Sequence, residues 1–309
     1  MTTSPKAPSK PGKFTASDVP SQAGRTFVVT GANSGIGRIA AGVLAAKGAR
    51  VILAVRNLVK GQDAADTMTG DVEVRQLDLS DLTSVRAFAA EFTDPIDVLI
   101  NNAGVMIPPF SRTADGFELQ FGTNHLGHFA LTNLLLPQIK DRVVTVSSNG
   151  HKMGSIDFDD LNYEHKRYRA MPAYAQSKLA NLLFTSELQQ KLTDAGSPVI
   201  ATAAHPGFAA TNLLRIDDKK RVLKAVADAV TSVVGQREEI GALPTLYAAV
   251  TDIPGNSYAG PSGFMEQRGT PELVGRSAKA RDTAAARRLW EVSETLTGVT
   301  FPLAALKNV

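Results

Sequence analysis

The stretch "TFVVTGANSGIGR" at residues 26–38 decides how this chain is read. "TFVVT" is short, β-branched and bounded by glycine, the pattern of a strand buried on both faces. A helical pattern follows from about Ile36 to Lys47, and "RVILAV" at 50–55 reads as a second strand. Gly31, Gly35 and Gly37 therefore lie in the turn of a βαβ unit. That context separates a phosphate-binding loop from a chance glycine cluster. Glycines allow a tight turn and a close backbone approach. The helix start then presents free N–H groups and a positive dipole end to a pyrophosphate. The loop residues placed to face a dinucleotide are Gly31, Asn33, Ser34, Gly35, Ile36 and Gly37.

Working outward, "VEVRQL" at 72–77, "IDVLI" at 96–100, "RVVTV" at 142–146 and "PVIATAA" at 198–204 are four more apolar strands. Helical patterns occupy about 113–136 and 173–193, and "SDLTSVRAFAAEF" is a helix with Ser80 as its N-cap. Six apolar strands separated by helices predict an α/β fold with a doubly wound parallel sheet, the Rossmann arrangement. One catalytic domain spans 23–309, after a flexible tail at 1–22 rich in Pro, Ser and Lys. From about Asn212 the pattern turns irregular, with helices near 236–250 and 281–296. The variable substrate region is read at about 208–235 and a C-terminal extension at about 270–309.

Composition narrows the chemistry. The 309 residues contain no cysteine, which excludes disulfides, thiolate nucleophiles and cysteine zinc sites. That absence fits a cytoplasmic enzyme. Net charge is +3, and the basic clusters "EHKRYR" and "RIDDKKR" are interrupted or mixed in sign, so no nucleic-acid stripe is read. No apolar run reaches the roughly 18 residues that span a bilayer, and the N-terminus lacks a signal peptide's apolar region; no transmembrane anchor is expected. His125 and His128 are three apart but have no third ligand at a metal spacing, so packing and local hydrogen bonding explain them better than a metal.

The tip of the second strand selects the cofactor. A carboxylate there accepts the two ribose hydroxyls of NAD, but this chain has Val55 and then Arg56. An arginine pairs with a 2′-phosphate through a charge-assisted fork, so NADP(H) is inferred. Arg38, just inside the first helix, is placed to assist.

In "YAQSK" at 174–178, Tyr174 and Lys178 are four apart and share a helix face. A free tyrosine has a pKa of about 10, too high for an efficient proton donor or base near neutrality. A lysine ammonium about 4 Å away, at an effective dielectric near 20, supplies on the order of 4 kcal/mol toward lowering it. Alone, the pair proves little.

Five motifs in order change that: "TGANSGIG", "NNAG" at 101–104, "TVSS" at 145–148, "YAQSK", and "HPGFAAT" at 205–211. The chain resembles the short-chain dehydrogenase/reductase family over about residues 25–265. "LTNLLLPQI", "SKLANLLF" and the late "YAGPSGFMEQRG…LWEVSE" resemble its retinol dehydrogenase-like and protochlorophyllide reductase-like branch. The resemblance implies Tyr174 as general acid or base and Lys178 as its partner and holder of the nicotinamide ribose. It implies Ser148 as the donor to the carbonyl oxygen, and Asn124 as the anchor of a proton-relay water with Lys178. Asp78 and Leu79 are implied beside the adenine, and Asn102, Ala103 and Gly104 in a turn beneath it. Pro206, Gly207 and Thr211 are implied to hold the carboxamide.

Ser148 and Tyr174 are 26 residues apart, longer than the family minimum, and the inserted "GSIDFDDLNYEHKRYRAM" is read as a loop beside the substrate mouth. Met153, Phe158, Tyr163, Met171, Phe208, Leu213 and Leu214 are the candidate walls of an apolar pocket, although they could equally pack on one another. The expected activity interconverts a small-molecule carbonyl and alcohol, and a homo-oligomer is compatible with the family. A non-catalytic nucleotide sensor or scaffold is the alternative from another class, and a carbon–carbon double-bond reductase the alternative within enzymes.

Overall fold

The computed structural model describes residues 14–207 and 238–306. The six strands read from sequence are Thr26–Thr30 (β1), Arg50–Val55 (β2), Asp71–Gln76 (β3), Ile96–Asn101 (β4), Ile139–Val146 (β5) and Ile200–Ala204 (β6). Two shorter strands follow, Tyr258–Pro261 (β7) and Pro271–Leu273 (β8). Among the described residues all eight form one sheet in the order β3-β2-β1-β4-β5-β6-β7-β8. Strand pairing is parallel throughout except for β8, which runs antiparallel to β7. The chain winds from β1 out to β3, then returns to β4 on the other side of β1. The strand order therefore reverses at β1/β4, and such a crevice at the carboxyl ends of the strands is where open α/β sheets bind ligands.

Both sheet faces are covered, which is why the central strands read as continuous apolar runs. On one face Ala40, Ala41 and Leu44 of helix α1 (Gly35–Ala46) and Leu246 of the helix Leu243–Val250 pack on Phe27, Val29, Val51 and Leu53. Helix α2 (Leu58–Ala65) joins β2 to β3. On the other face lie α3 (Leu82–Ala90), α5 (Gly127–Leu135) and α6 (Ala170–Asp194), whose Val85, Phe129 and Phe184 meet Val28, Ile52 and Leu99. The outer side of α6 is covered in turn by the C-terminal helix Thr283–Thr297. Its Trp290 stacks on Phe184 at 5.7 Å and meets Phe129 edge-on at 4.8 Å. Burying an aromatic side chain of this size is worth roughly 1.5–3 kcal/mol, so the extension beyond residue 270 is part of the core.

Several local expectations are corrected. Asp81, not Ser80, caps α3 by accepting from the Thr83 amide; Ser80 instead donates to Asp78. The helix expected at 113–136 begins only at Leu119 with a short turn, α4 (Leu119–Phe121), because Arg112 and Glu118 pair in a β-bridge before it. The segment from Phe14 to Gln22, read as part of a mobile tail, packs on the domain: Phe14 and Val19 are buried, and the Phe14 ring meets Tyr247 edge-on at 5.3 Å. The helix near 236–250 is divided into Glu238–Gly241 and Leu243–Val250, with Pro244 in the first turn of the second, where its missing N–H costs nothing. β7 and β8 escaped notice because each is short and interrupted by proline or glycine.

Candidate active site

At the end of β1, Gly31 takes a left-handed φ of +65°, and its amide donates to the Ala54 carbonyl at 2.8 Å. A Cβ here would lie 2.9 Å from the Ala103 Cα, and one on Gly37 would collide with the Asn102 amide. The glycine loop and the 101–104 turn are thus nested with no room for side chains. Thr30 binds them together: its hydroxyl accepts from the Asn102 and Ala103 amides, both at 2.9 Å, and its carbonyl accepts from Asn102 Nδ2 at 2.8 Å. The Thr30 proton is then left for His128 Nε2, 2.9 Å away, while His128 Nδ1–H donates to the Asn124 carbonyl at 3.0 Å. Burial holds His128 neutral, down to about 4, as this pattern of one donor and one acceptor requires.

This cradle fits a dinucleotide. Ser34, in extended conformation before α1, makes no side-chain cap, so the first-turn amides of α1 are not satisfied by its hydroxyl. Asn33 is half-buried and Ile36 buried in the same loop. The buried Asn102 Oδ1 has no protein partner. Gly104 keeps open a spot that a Cβ would share with Asn124 Oδ1 at 3.2 Å and Lys178 Nζ at 3.5 Å. Val55 is buried at the end of β2 and Arg56 follows it exposed. Asp78 lies two residues past β3 rather than ending it. One of its carboxylate oxygens accepts from the Ser80 amide and hydroxyl, and Leu79 beside it is buried against Gly127.

The catalytic candidates converge from three elements. α6 buries Tyr174, Ser177 and Lys178. Lys178 Nζ donates to the Val146 carbonyl at the end of β5 at 3.1 Å, and burial pulls the ammonium down to about 8. The Ser148 hydroxyl caps the turn Asn149–Met153 by accepting from the Gly150 amide at 3.1 Å, and it and the Tyr174 ring both border Gly150, 3.4 Å and 3.3 Å from where a Cβ there would sit. Ser147 points the other way and donates to the Lys178 carbonyl at 2.7 Å. Adjacent serines therefore divide the work, one facing the tyrosine and the other holding α6.

One sequence expectation changes. Lys178 Nζ sits 5.7 Å from the Tyr174 ring centre, yet burial raises the Tyr174 pKa, with Ser148 opposing it. The Asn124 side chain is held by three hydrogen bonds. Its Oδ1 accepts from the Val105 amide at 2.8 Å, and its Nδ2 donates to the Val105 carbonyl and to Ser177 Oγ, both at 3.0 Å. Asn124 braces the strand-end turn against α6, and its Oδ1 accepts one bond with a second lone pair left over. It stands in a π-turn, Gly122–Leu126, a distortion that concentrates at functional sites.

His125, beside it, bonds Ser293 Oγ at 2.9 Å. Pro206 and Gly207 follow β6, while Thr211, Phe208, Leu213 and Leu214 lie outside the described residues.

The insert before α6 is seated by residues that carry no motif. Gln120 accepts from the Ile107 amide at 2.9 Å and donates to Tyr168 Oη at 2.9 Å and to the Ala170 carbonyl at 2.8 Å. Glu118 is buried, and its carboxyl is pushed up by desolvation despite accepting from the Gln120 and Phe121 amides. Of the expected pocket walls, Phe158 lies under the Arg288 guanidinium and Tyr163 packs edge-on with Tyr168, so these two brace the insert; Met153 and Met171 are exposed. Gln120 was missed because its partners Tyr168 and Ala170 lie far along the chain in a loop without a pattern.

A parallel sheet with its strand order reversed at a glycine loop, beside a buried Ser–Tyr–Lys group, defines a nucleotide-dependent oxidoreductase of the Rossmann type. The family model for short chain dehydrogenases matches residues 25–221, and the chain belongs to that family. It is 41% identical to human retinol dehydrogenase 13 over 297 residues, covering 90% of this chain and 86% of that protein. It is 44% identical to human retinol dehydrogenase 11 over 292 residues, covering 89% and 86%. A crystal structure of an uncharacterized protein from Mycobacterium paratuberculosis superposes with a TM-score of 0.83 at 54% identity, covering 94% of this chain and 99% of that one. A Beutenbergia cavernae protein described as an NAD(P)-dependent gluconate 5-dehydrogenase, with NADP bound at low occupancy, superposes with a TM-score of 0.57 at 27% identity, over 74% and 91%. The chain is an oxidoreductase acting on alcohol or carbonyl groups.

Proposed function

We propose that this chain is an NADP(H)-dependent enzyme that interconverts an apolar carbonyl and its alcohol, with Tyr174 as general acid or base. The observation that carries the reading is the meeting of Tyr174, Ser148 and Lys178 in one buried site beside the glycine cradle. A bound nicotinamide supplies the hydride for reduction or takes it in the reverse direction. The Ser148 and Tyr174 hydroxyls hold the substrate oxygen, and Tyr174 passes its proton to that oxygen. Lys178, still charged at neutral pH, stabilises the tyrosinate left behind. Burial keeps Tyr174 protonated at neutrality, which suits the general-acid role in reduction. Arg56, with no carboxylate at the β2 tip, favours a 2′-phosphate. Asp78 and Leu79 border the adenine, and Pro206, Gly207 and Thr211 hold the carboxamide. The retinol dehydrogenase relatives make long apolar alcohols and aldehydes the first substrate class to screen.

The test is a fluorescence titration with NADPH and NADH, followed by an apolar aldehyde and alcohol screen. NADPH binds preferentially, and Arg56→Asp moves the preference toward NADH. Tyr174→Phe loses turnover by about 10²–10⁴-fold while keeping NADPH affinity. Equal turnover by wild type and Tyr174→Phe overturns the mechanism; unchanged cofactor preference in Arg56→Asp removes Arg56 from its role.

A further inference from the structure

The segment between β7 and β8 carries two consecutive non-glycine residues in left-handed backbone, Met265 at φ 52° and Glu266 at φ 55°. Residues with side chains are held there only when the surroundings over-determine them. The surroundings here are two parts of the candidate active site. Asn149, directly after Ser148, donates from Nδ2 to the carbonyls of both Met265 at 3.1 Å and Glu266 at 3.2 Å. The Glu266 carboxylate then reaches in two directions. Oε1 accepts from Lys152 Nζ at 3.1 Å, on the turn that Ser148 caps. Oε2 lies 3.2 Å from Nε2 of the fully buried His205, which immediately precedes Pro206 and Gly207.

Backbone packing runs the same way. The His205 Nδ1 accepts from the Gly207 amide at 3.2 Å, so the proton sits on Nε2, which lies close to the carboxylate without an aligned hydrogen bond. A Cβ on Gly207 would collide with the Gln267 carbonyl, so the loop after β6 lies directly on the hairpin. Glu266 is pushed down to about 2, by His205 first and then Lys152, so it is a carboxylate throughout the working range. An exposed ion pair with lysine alone would be worth little. The buried histidine and the strained backbone mark this as more than a surface pair.

We infer that Glu266 is a positioning residue that fixes the spacing between the Ser148 turn and the Pro206–Gly207 loop, by binding Lys152 with one oxygen and packing its other oxygen against His205 at 3.2 Å. The role in turnover rests on the oxidoreductase reading above; the clamp itself rests on geometry alone. Substrate oxygen and nicotinamide must keep one separation for hydride transfer, and Glu266 ties together the elements that hold them.

The test compares Glu266→Gln, Lys152→Met and Phe264→Ser by backbone amide exchange and by kinetics. In Glu266→Gln, exchange accelerates at least tenfold in both 147–154 and 203–207, and kcat falls at least tenfold with less than threefold change in NADPH affinity. Lys152→Met removes one arm only, so exchange rises in 147–154 but not in 203–207; this variant carries the test if Glu266→Gln does not fold. Phe264→Ser, at a side chain 87% exposed on the same hairpin, leaves both segments and turnover unchanged. Exchange confined to 262–268 in Glu266→Gln, a silent Lys152→Met, or an equal response to Phe264→Ser overturns the inference. If wild type turns over no carbonyl or alcohol, the oxidoreductase reading fails, and the exchange pattern still decides the clamp.

Discussion

The cofactor side and the substrate side of the cleft are assembled differently. On the cofactor side, motif meets motif: Gly31 and Gly37 nest against Asn102 and Ala103, and Thr30 bonds that turn from below. On the substrate side, motif meets unmarked chain. The turn after Ser148 is held by Met265 and Glu266, and His151, which donates to the Ser148 carbonyl at 2.8 Å, accepts from the Ser277 amide at 3.3 Å. The first construction has no spare volume and tolerates little change. The second depends on individual polar contacts across more than a hundred residues of sequence, so it can be retuned one contact at a time.

The contrast breaks most sharply at Gly37. Gly37→Ala forces a methyl into the Asn102 amide, which is already bonded to the Thr30 carbonyl. Overpacking of this kind costs about 1–3 kcal/mol, and the loop must also move, so NADPH affinity is expected to fall at least tenfold in a fluorescence titration. Unchanged affinity would show that the cradle is looser than its packing implies.

Lys178 sharpens the contrast by separating function from stability. Burial lowers its pKa from 10.5 to about 8, so the unfolded chain holds that proton more tightly than the folded one. The resulting destabilisation, on the order of 3 kcal/mol, is complete below pH 8 and fades between pH 8 and 10.5. Lys178→Met is therefore expected to lose turnover yet melt higher than wild type at pH 7, with the difference closing toward pH 10. Asn181 Nδ2, 3.1 Å from the same Val146 carbonyl, keeps that acceptor satisfied in the variant. A melting temperature below wild type at pH 7 would show that Lys178 is held by more than it loses to burial.

The smallest expected effect concerns the two histidines of the asparagine helix. Burial lowers His125 to about 3 and His128 to about 4, against an ordinary 6.5. The unfolded chain takes up these protons as pH falls below 6.5 while the folded chain does not, so stability present above 6.5 is lost as pH drops toward 4 and then 3. His125 packs among Phe121, Phe129 and Phe184, and its Nδ1 has no hydrogen bond. His125→Phe should remove its share of this acid loss, on the order of 2 kcal/mol at pH 5, in denaturant titrations at pH 5 and 7. The same pH dependence in variant and wild type would assign the acid loss elsewhere.

The same division explains what the sequence made legible. The six central strands and the glycine loop were readable because each is a local pattern of period, turn residue or spacing, whereas the Tyr174–Lys178 spacing said little alone and Ser148 was singled out only by resemblance to the family. The start of the asparagine helix was not, since the β-bridge that displaces it joins Arg112 to Glu118 through tertiary pairing. Nor were the uses of Asn124 and His128, which depend on Val105, Ser177 and Thr30 arriving from other elements. Glu266 lay within a quoted segment, but its partners at 152 and 205 shared no spacing with it.

The last strand has a consequence for contact between molecules. A sheet grows wherever an outer strand leaves its N–H and C=O groups open to a newcomer. Here one border is β8, three residues long, reversed in direction and begun by Pro271; the other is β3, which carries Asp71, Glu73 and Arg75. Short length, proline and charge are the devices that discourage strand addition. Among the described residues, neither border invites a ladder from another chain.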